Sequence, residues 1–126
     1  FSNAKYLKME KEMEEKFRQQ IKKGVLDMIV LRLVAEKPTY GYEIIQELEQ
    51  RGKDFFQLKE GTLCPVLYRL EDGGLIRSEW KLQEGRNTPK KYYTATDQGR
   101  EVFQEYRSVW EQFVQTVNEI CGEETE

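Results

Sequence analysis

The chain has 126 residues, 38% of them hydrophobic and 34% charged, and a formal net charge of −3. This length suits one domain with a helical extension. The charged fraction is too high for a membrane protein, and no apolar run approaches the ~18 residues of a spanning helix. With no secretory signal to read, we expect a cytoplasmic location. Residues 1 to 4 lack an initiator methionine and are interpreted as an expression remnant.

The chain has few of the side chains that usually carry out catalysis or bind metals. The chain has no histidine, and its two cysteines, Cys64 and Cys121, lie far apart without zinc-site spacing. We expect both cysteines to be reduced. No phosphate loop or nucleophile motif accompanies the carboxylates and lysines. The sequence therefore predicts no catalytic residue, no metal site, no cofactor and no enzyme.

Charge is unevenly distributed along the chain. Residues 77 to 91 carry five positive charges against two negative ones, whereas residues 97 to 126 carry two positive and eight negative. A local basic field attracts a polyanion at short range whatever the net charge, because salt screens beyond ~8 Å. The basic segment indicates a nucleic-acid contact, and a merely solvated hairpin remains the alternative.

Two helices are predicted at the start of the chain. In residues 5 to 20, Met9, Met13 and Phe17 recur every fourth residue, so this helix has an apolar face that needs a partner. Gly24 is predicted to end this first helix, and an almost wholly apolar run follows over residues 25 to 35. Such a run predicts a central buried helix, with a buried strand as the rival interpretation. Pro38 ends it.

A second helix is predicted to begin at an N-cap Thr39 and to end at Gly52, with Tyr42, Ile45 and Leu48 facing inward. A third helix is predicted from about Gly61 to Asp72. Its inward face is apolar, namely Leu63, Val66, Leu67 and Leu70. Its opposite face has the character of a surface that reads a DNA groove, namely Thr62, Cys64, Pro65, Tyr68 and Arg69.

Two strands follow the third helix. Ile76, Ser78, Trp80 and Leu82 alternate with polar residues, and Tyr93 and Ala95 alternate in a return strand after a turn at Gly85. Residues 21 to 96 are thus predicted to form a winged helix-turn-helix. The fold class is mainly α with a two-stranded β wing, to which N- and C-terminal dimerisation helices are added.

The last helix, within residues 97 to 126, is predicted to be capped by Thr96 or Asp97. About 24 helical residues span ~36 Å, more than one small domain can cover, so the apolar stripe predicts a homodimer. The alternative is a monomer in which this helix folds back on the first one. The predicted dimer interface comprises Val102, Phe103, Tyr106, Val109, Trp110, Phe113, Val117 and Ile120.

In this order and spacing, the segments resemble the PadR family of transcriptional regulators in its compact form with one C-terminal helix. The match covers most of residues 21 to 115. The segments that carry it are KGVLDMIVLRL from Lys23, PTYGYEI from Pro38, EGTL from Glu60 with Pro65, Leu70 and Glu71, GLI from Gly74, SEW from Ser78, Gly85 with Arg86, KYY from Lys91, and Thr96 with Gly99 and Arg100.

The resemblance implies a homodimeric regulator, usually a repressor, that binds an inverted-repeat operator on double-stranded DNA and releases it when a small molecule binds. Aromatic or hydrophobic effectors are typical of the family, and Trp110 stands where multidrug-responsive members place a ligand-sandwiching tryptophan. A Trp110 that only packs the interface remains the alternative. The effector site implied in this way comprises Phe17, Tyr106, Trp110, Phe113 and Val114.

Three positions depart from the family pattern. Cys64 replaces a common tyrosine of the reading helix, Asn87 and Thr88 lengthen the wing, and Ala95 replaces a usual leucine. The expected DNA contacts are Thr39, Tyr40, Lys59, Gly61, Thr62, Pro65, Tyr68, Arg69, Lys81, Arg86, Lys90 and Lys91. A winged-helix module that binds a protein and not DNA is the alternative function.

Overall fold

The computed structural model describes residues 2–53, 55–82, 84–85 and 87–122. The elements in chain order are α1 (Ser2–Glu36), β1 (Thr39–Tyr40), α2 (Gly41–Gly52), α3 (Glu60–Asp72), β2 (Ile76–Lys81), β3 (Lys90–Ala95) and α4 (Asp97–Cys121). The predicted class, mainly helical with a β wing, is confirmed. The sheet is larger than predicted, because β1 joins the hairpin in the antiparallel order β1-β3-β2.

The first helix is continuous. We predicted a break at Gly24, but α1 runs through it as one helix of 35 residues. A single glycine costs a helix only about 1 kcal/mol, and burial of the apolar residues that follow Gly24 outweighs that cost. The amphipathic segment of residues 5 to 20 and the buried segment after it are therefore parts of one continuous helix.

The core surrounds the second half of α1, as the apolar run predicted. Val30 and Leu31 are fully buried there. The apolar face of α3 packs into the same core, because all four of its predicted inward residues are buried. Burying that face fixes which side of α3 remains outside.

The start of α2 differs from the prediction. Thr39 is not its N-cap but pairs with Tyr93 in the sheet, and Tyr40 takes the cap position. The buried face of α2 is formed by Ile44 and Leu48, whereas Tyr42 is 62% exposed. The predicted inward stripe was therefore wrong at Tyr42. Residues 44 and 48 lie one turn apart on the same helix face.

The fourth helix is capped as predicted. The Thr96 hydroxyl accepts a hydrogen bond from the Gly99 amide at 3.0 Å and donates one to the Gly74 carbonyl at 2.7 Å. It satisfies a free amide of the first turn and ties that turn to the chain before β2. The hairpin projects away from this junction, so Ile76 is buried while Trp80 and Leu82, predicted on the same inward face, are exposed.

Candidate nucleic-acid interface and adjoining groove

The outer face of α3 is open along its length. Thr62, Cys64, Pro65 and Tyr68 are all exposed, and Tyr68 is the most prominent, with 71% of its surface accessible. Pro65 lies inside α3, five residues after its first residue Glu60, so α3 lacks one backbone hydrogen bond at this position. Lys59 occupies the N-cap position, and its carbonyl accepts hydrogen bonds from the amides of Thr62 and Leu63, both at 3.0 Å. These residues form a continuous polar surface with a lysine at one end.

Arg69 points elsewhere than the sequence suggested. Its Nη2 atom lies 2.7 Å from Oδ1 of Asp27 on α1, so the side chain bridges two helices. The Asp27 carboxylate raises the pKa of the Arg69 guanidinium above its ordinary value, through the hydrogen bond first and Coulomb attraction second. This ion pair joins the Arg69 guanidinium to α1.

The outer face of the sheet combines lysines with tyrosines. Lys81 and Lys90 face each other in the β2–β3 register, and each ammonium group lies over a ring: Lys81 is 5.7 Å from Tyr92 and Lys90 is 4.8 Å from Tyr40. The Tyr40 and Tyr92 rings meet edge to face at 5.3 Å. The rings support the ammonium groups from beneath and leave N–H donors free to reach phosphate.

Lys91 lies on the opposite face of the hairpin. Opposing residues share a face, and Lys91 is paired with Trp80, not with Lys81. Its ammonium group lies 4.0 Å from the Glu71 carboxylate of α3 and 5.7 Å from the Tyr93 ring centroid. Lys91 therefore offsets the negative charge of Glu71 on α3 and also adds positive charge to the wing.

Thr39, like Arg69, is not supported as a DNA contact by the arrangement. Thr39 is only 3% exposed, and its hydroxyl donates a hydrogen bond to Glu43 Oε1 at 3.0 Å. Its side chain serves the start of α2 and cannot reach a phosphate, which corrects the expectation. Arg86 lies outside the described residues.

A groove of about 1240 Å³ lies between α1 and α4. It brings together the residues that the family resemblance implied for an effector site, which come from distant parts of the sequence: Phe17, Tyr106, Trp110, Phe113 and Val114. The rings of Trp110 and Phe113 are 6.2 Å apart with an interplanar angle of 34°. The walls are mainly apolar and suit a ligand with a large hydrophobic surface.

The α4 stripe is largely uncovered in the single chain. Tyr106, Val109, Phe113, Val117 and Ile120 are all exposed, as a dimer interface requires before its partner is added. Phe103 corrects the predicted set, because it is only 6% exposed and belongs to the core of its own chain. The Arg32 guanidinium covers its ring at 5.6 Å. Phe103 lies in the second turn of α4, where the helix still packs on the domain.

Sequence reasoning missed two charged residues of the groove, Lys23 and Asp27. A signal for Asp27 existed, because it is the one charged residue in the run from Val25 to Leu31. A lone carboxylate in a buried helix usually has a partner, but the sequence could not name Arg69. Among the helices in the described part of the chain, none combines the length and apolar character needed to cross a membrane.

Three helices are followed by a basic hairpin, and the third helix, α3, has one face buried in the core and the other exposed. This arrangement defines a winged helix-turn-helix protein. The chain belongs to the transcriptional regulator PadR-like family, whose family model matches residues 30–105. The chain is therefore a transcriptional regulator of the PadR type, as its sequence segments suggested.

Similar proteins cover much of the chain. An uncharacterised protein of Lysinibacillus sphaericus is 40% identical over 94 residues, which are 74% of this chain and 84% of that protein. The negative transcriptional regulator PadR of Bacillus subtilis is 31% identical over 77 residues, which are 61% of this chain and 42% of that protein. The crystal structure of a PadR family regulator from Eggerthella lenta has a TM-score of 0.76 at 30% identity and covers 96% of this chain and 99% of its own.

Proposed function

We propose that the protein is a DNA-binding repressor that acts as a homodimer on an inverted-repeat operator and releases DNA when a small apolar molecule occupies the α1–α4 groove. The observation that carries this proposal is the outward polar face of α3, which is fixed in place by four buried residues on its inner face. The name of the Bacillus subtilis relative, a negative regulator, favours repression over activation.

DNA recognition is assigned to two surfaces. Thr62 and Tyr68 enter the major groove on α3, where hydroxyl groups can contact base edges and phosphates. Gly61 and Pro65 line the same surface without side-chain donors and allow close approach of the duplex. Lys59 at the start of α3 and Lys81 and Lys90 on the outer face of the sheet hold the phosphate backbone, with Tyr40 supporting Lys90. Lys91 adds positive charge from the opposite face of the hairpin. Arg69 is left out of this set because of its bond to Asp27.

Dimerisation is assigned to α4. Five large apolar side chains on one helix face are exposed in the single chain, a pattern that a stable soluble protein normally covers. Pairing of two such stripes in a two-fold dimer buries them and places both copies of α3 on one side. We propose that the two reading helices then enter successive major grooves, about 34 Å apart.

The effector proposal rests on the groove. Trp110 and Phe113 offer two ring faces to a flat ligand, and Phe17 and Tyr106 add apolar surface from either side. A ligand there touches both α1 and α4, so it can favour one dimer geometry over another. A geometry that changes the separation of the reading helices weakens DNA binding without any contact between ligand and DNA.

A gel-shift titration over a range of salt concentrations tests DNA binding. We expect the protein to bind duplex DNA with an affinity that falls steeply with salt, and Tyr68→Ala to weaken binding to its preferred sequence by at least tenfold. The matched control is Tyr6→Ala, an exposed tyrosine at the far end of α1 that should change nothing. Absence of binding at low salt would contradict the proposal and favour a winged-helix module that binds protein.

A further inference from the structure

Pro65 weakens α3, and packing within the chain does not offset this loss. It lies inside the helix, where it removes one backbone hydrogen bond and crowds the carbonyl of Gly61, four residues earlier. Its side chain is exposed, so it adds nothing to the core that Leu63 and Val66 enter on either side of it. A residue that weakens its own helix without filling the core is better explained by a contact with another molecule.

Pro65 stands at the middle of the exposed face of α3. The four buried residues fix the rotation of the helix, and Pro65 and Tyr68 lie on the side opposite them. The two are three residues apart, so their rings are neighbours on that face. Gly61, about one turn before Pro65, is also exposed and has no side chain that would keep a duplex at a distance.

The charged side chains of α3 flank this face or lie at its ends. Arg69 is held by its ion pair to α1, and on the other flank Glu71 accepts a hydrogen bond from the Ser78 hydroxyl at 2.5 Å. Glu60 and Asp72 are the first and last residues of the helix. Across α3, which is described in full, the middle of the exposed face therefore presents no guanidinium, ammonium, carboxylate or amide group.

The chemistry of the base edges decides what such a face can read. In the major groove, guanine is usually contacted by arginine or lysine, adenine by asparagine or glutamine, and cytosine by a carboxylate. Thymine instead offers a C5-methyl group, which suits an apolar side chain. The hydroxyl groups of Thr62 and Tyr68 can bond more than one kind of base. Pro65 can discriminate through apolar contact alone, and thymine is the base that matches it.

We propose that Pro65 is a specificity-determining residue that selects a thymine in each half-site through contact between its ring and the thymine C5-methyl group. The Tyr68 ring lies beside Pro65 and covers the methyl group from one side. This inference rests on the proposed DNA-binding function and adds to it the base that the middle of α3 reads.

Replacement of thymine by deoxyuridine tests the contact, because it removes the C5-methyl group and leaves base pairing unchanged. The probe is the duplex that the wild-type protein enriches most strongly from a random pool, with each half-site thymine replaced in turn. For at least one thymine, the replacement should weaken wild-type binding in a gel shift by roughly fourfold for each half-site changed, the loss expected for one buried methyl group.

Two substitutions at position 65 show whether the proline makes this contact. Pro65→Ser should remove the discrimination, so that thymine and uracil duplexes bind with equal affinity, whereas Pro65→Ala keeps an apolar methyl group and should retain part of it. Both restore a backbone amide to α3 and should leave the fold intact, which urea unfolding checks. The matched control is Pro38→Ser, at an exposed proline outside α3, which should keep the full wild-type effect.

Three results overturn the inference: equal binding of all uracil duplexes by the wild type, an enriched half-site without thymine, or a uracil effect that Pro65→Ser leaves unchanged. Failure of the underlying proposal gives a different result. If the protein binds no duplex even at low salt, both the DNA-binding function and this inference are wrong. Salt-dependent binding without a uracil effect leaves the DNA-binding function intact and rejects the role of Pro65 alone.

Discussion

Gly99 lies directly against the backbone carbonyl of Leu75, so closely that a Cβ atom at position 99 would overlap the carbonyl oxygen. This contact joins the first turn of α4 to the residue before β2, so it fixes the angle at which α4 leaves the winged domain. The amide of Thr96 strengthens the junction by donating a hydrogen bond to the same carbonyl at 3.0 Å.

Replacing Gly99 with alanine should therefore destabilise the protein. The backbone must move to admit the methyl group, which costs about 1–3 kcal/mol or more, measurable by urea unfolding. The matched control is Gly24→Ala, since Gly24 is also helical but has no atom near its Cβ position. That change should stabilise the protein by about 0.5–1 kcal/mol. Equal effects of the two substitutions would contradict the close approach of Gly99 to Leu75.

The Thr96 cap offers a second test at the same junction. Thr96→Ala removes the acceptor for the Gly99 amide and the donor to the Gly74 carbonyl, and we expect a loss of about 1–2 kcal/mol in the free energy of unfolding. Thr116→Ala is the control, because its hydroxyl bonds the Gln112 carbonyl within an exposed part of α4. Its effect on the free energy of unfolding should be a few tenths of a kcal/mol at most.

An ion pair between α1 and α2 should make stability depend on pH. Arg51 donates hydrogen bonds to Glu36 at 2.8 and 3.2 Å, and this bonding and the nearby positive charges lower the pKa of the Glu36 carboxyl from 4.5. A lowered carboxyl pKa contributes stability that is present above pH 4.5 and is lost as the pH falls through the folded-state value.

Arg51→Gln should thus cost about 0.5–1 kcal/mol at pH 7, and the difference from wild type should be smaller at pH 3. Urea unfolding at both pH values measures it. Arg107→Gln, which breaks a pair between Arg107 and Glu111 within α4, is the control and should cost less. A difference at pH 3 as large as that at pH 7 would mean that the Glu36 charge does not matter.

If two copies associate through α4, as we propose, a charge placed in its exposed apolar stripe should weaken the dimer. Val109→Glu should raise the dimer dissociation constant roughly 100-fold, because an unpaired carboxylate must be buried. Sedimentation velocity measures this, and circular dichroism checks that the monomer stays folded. Gln112→Glu adds the same charge at an exposed polar position of α4 and should leave association unchanged. Unaltered association of Val109→Glu would move the interface elsewhere.

The wing lysines predict the salt dependence of DNA binding. Removing one lysine that touches a phosphate should reduce the slope of log affinity against log salt concentration by about 0.9, so Lys81→Ala and Lys90→Ala should each lower it by that amount. Lys11→Ala, on the distal half of α1, should not change the slope. If both wing variants keep the wild-type slope, the outer face of the sheet does not contact DNA.

The sequence predicted those features that repeat along the chain. The inward face of α3 was predicted because Leu63, Val66, Leu67 and Leu70 recur at helical spacing. Thr96 was one of two predicted caps, with Asp97, because both precede an amphipathic segment. The two-residue strand β1 is too short for any periodicity, so Thr39 was taken as a helix cap. Its burial follows from pairing with Tyr93, a contact between residues distant in sequence.

The sequence also could not predict the direction in which an individual side chain points. Arg69 lies on the same helix as Tyr68 and shares its polar character, so the sequence predicted that both residues contact DNA. Its long side chain instead finds Asp27, 42 residues earlier in the chain. Phe103 was likewise assigned to the dimer stripe, because helical spacing alone does not show where α4 leaves the domain.

Selection of bound duplexes from a random DNA pool tests the central claim most directly, because it reads recognition and symmetry together. Two copies joined along α4 should enrich an inverted repeat whose half-sites lie about 10–10.5 base pairs apart, centre to centre, bound by two chains per duplex. Enrichment of a single half-site bound by one chain, or no enrichment at all, would contradict the account.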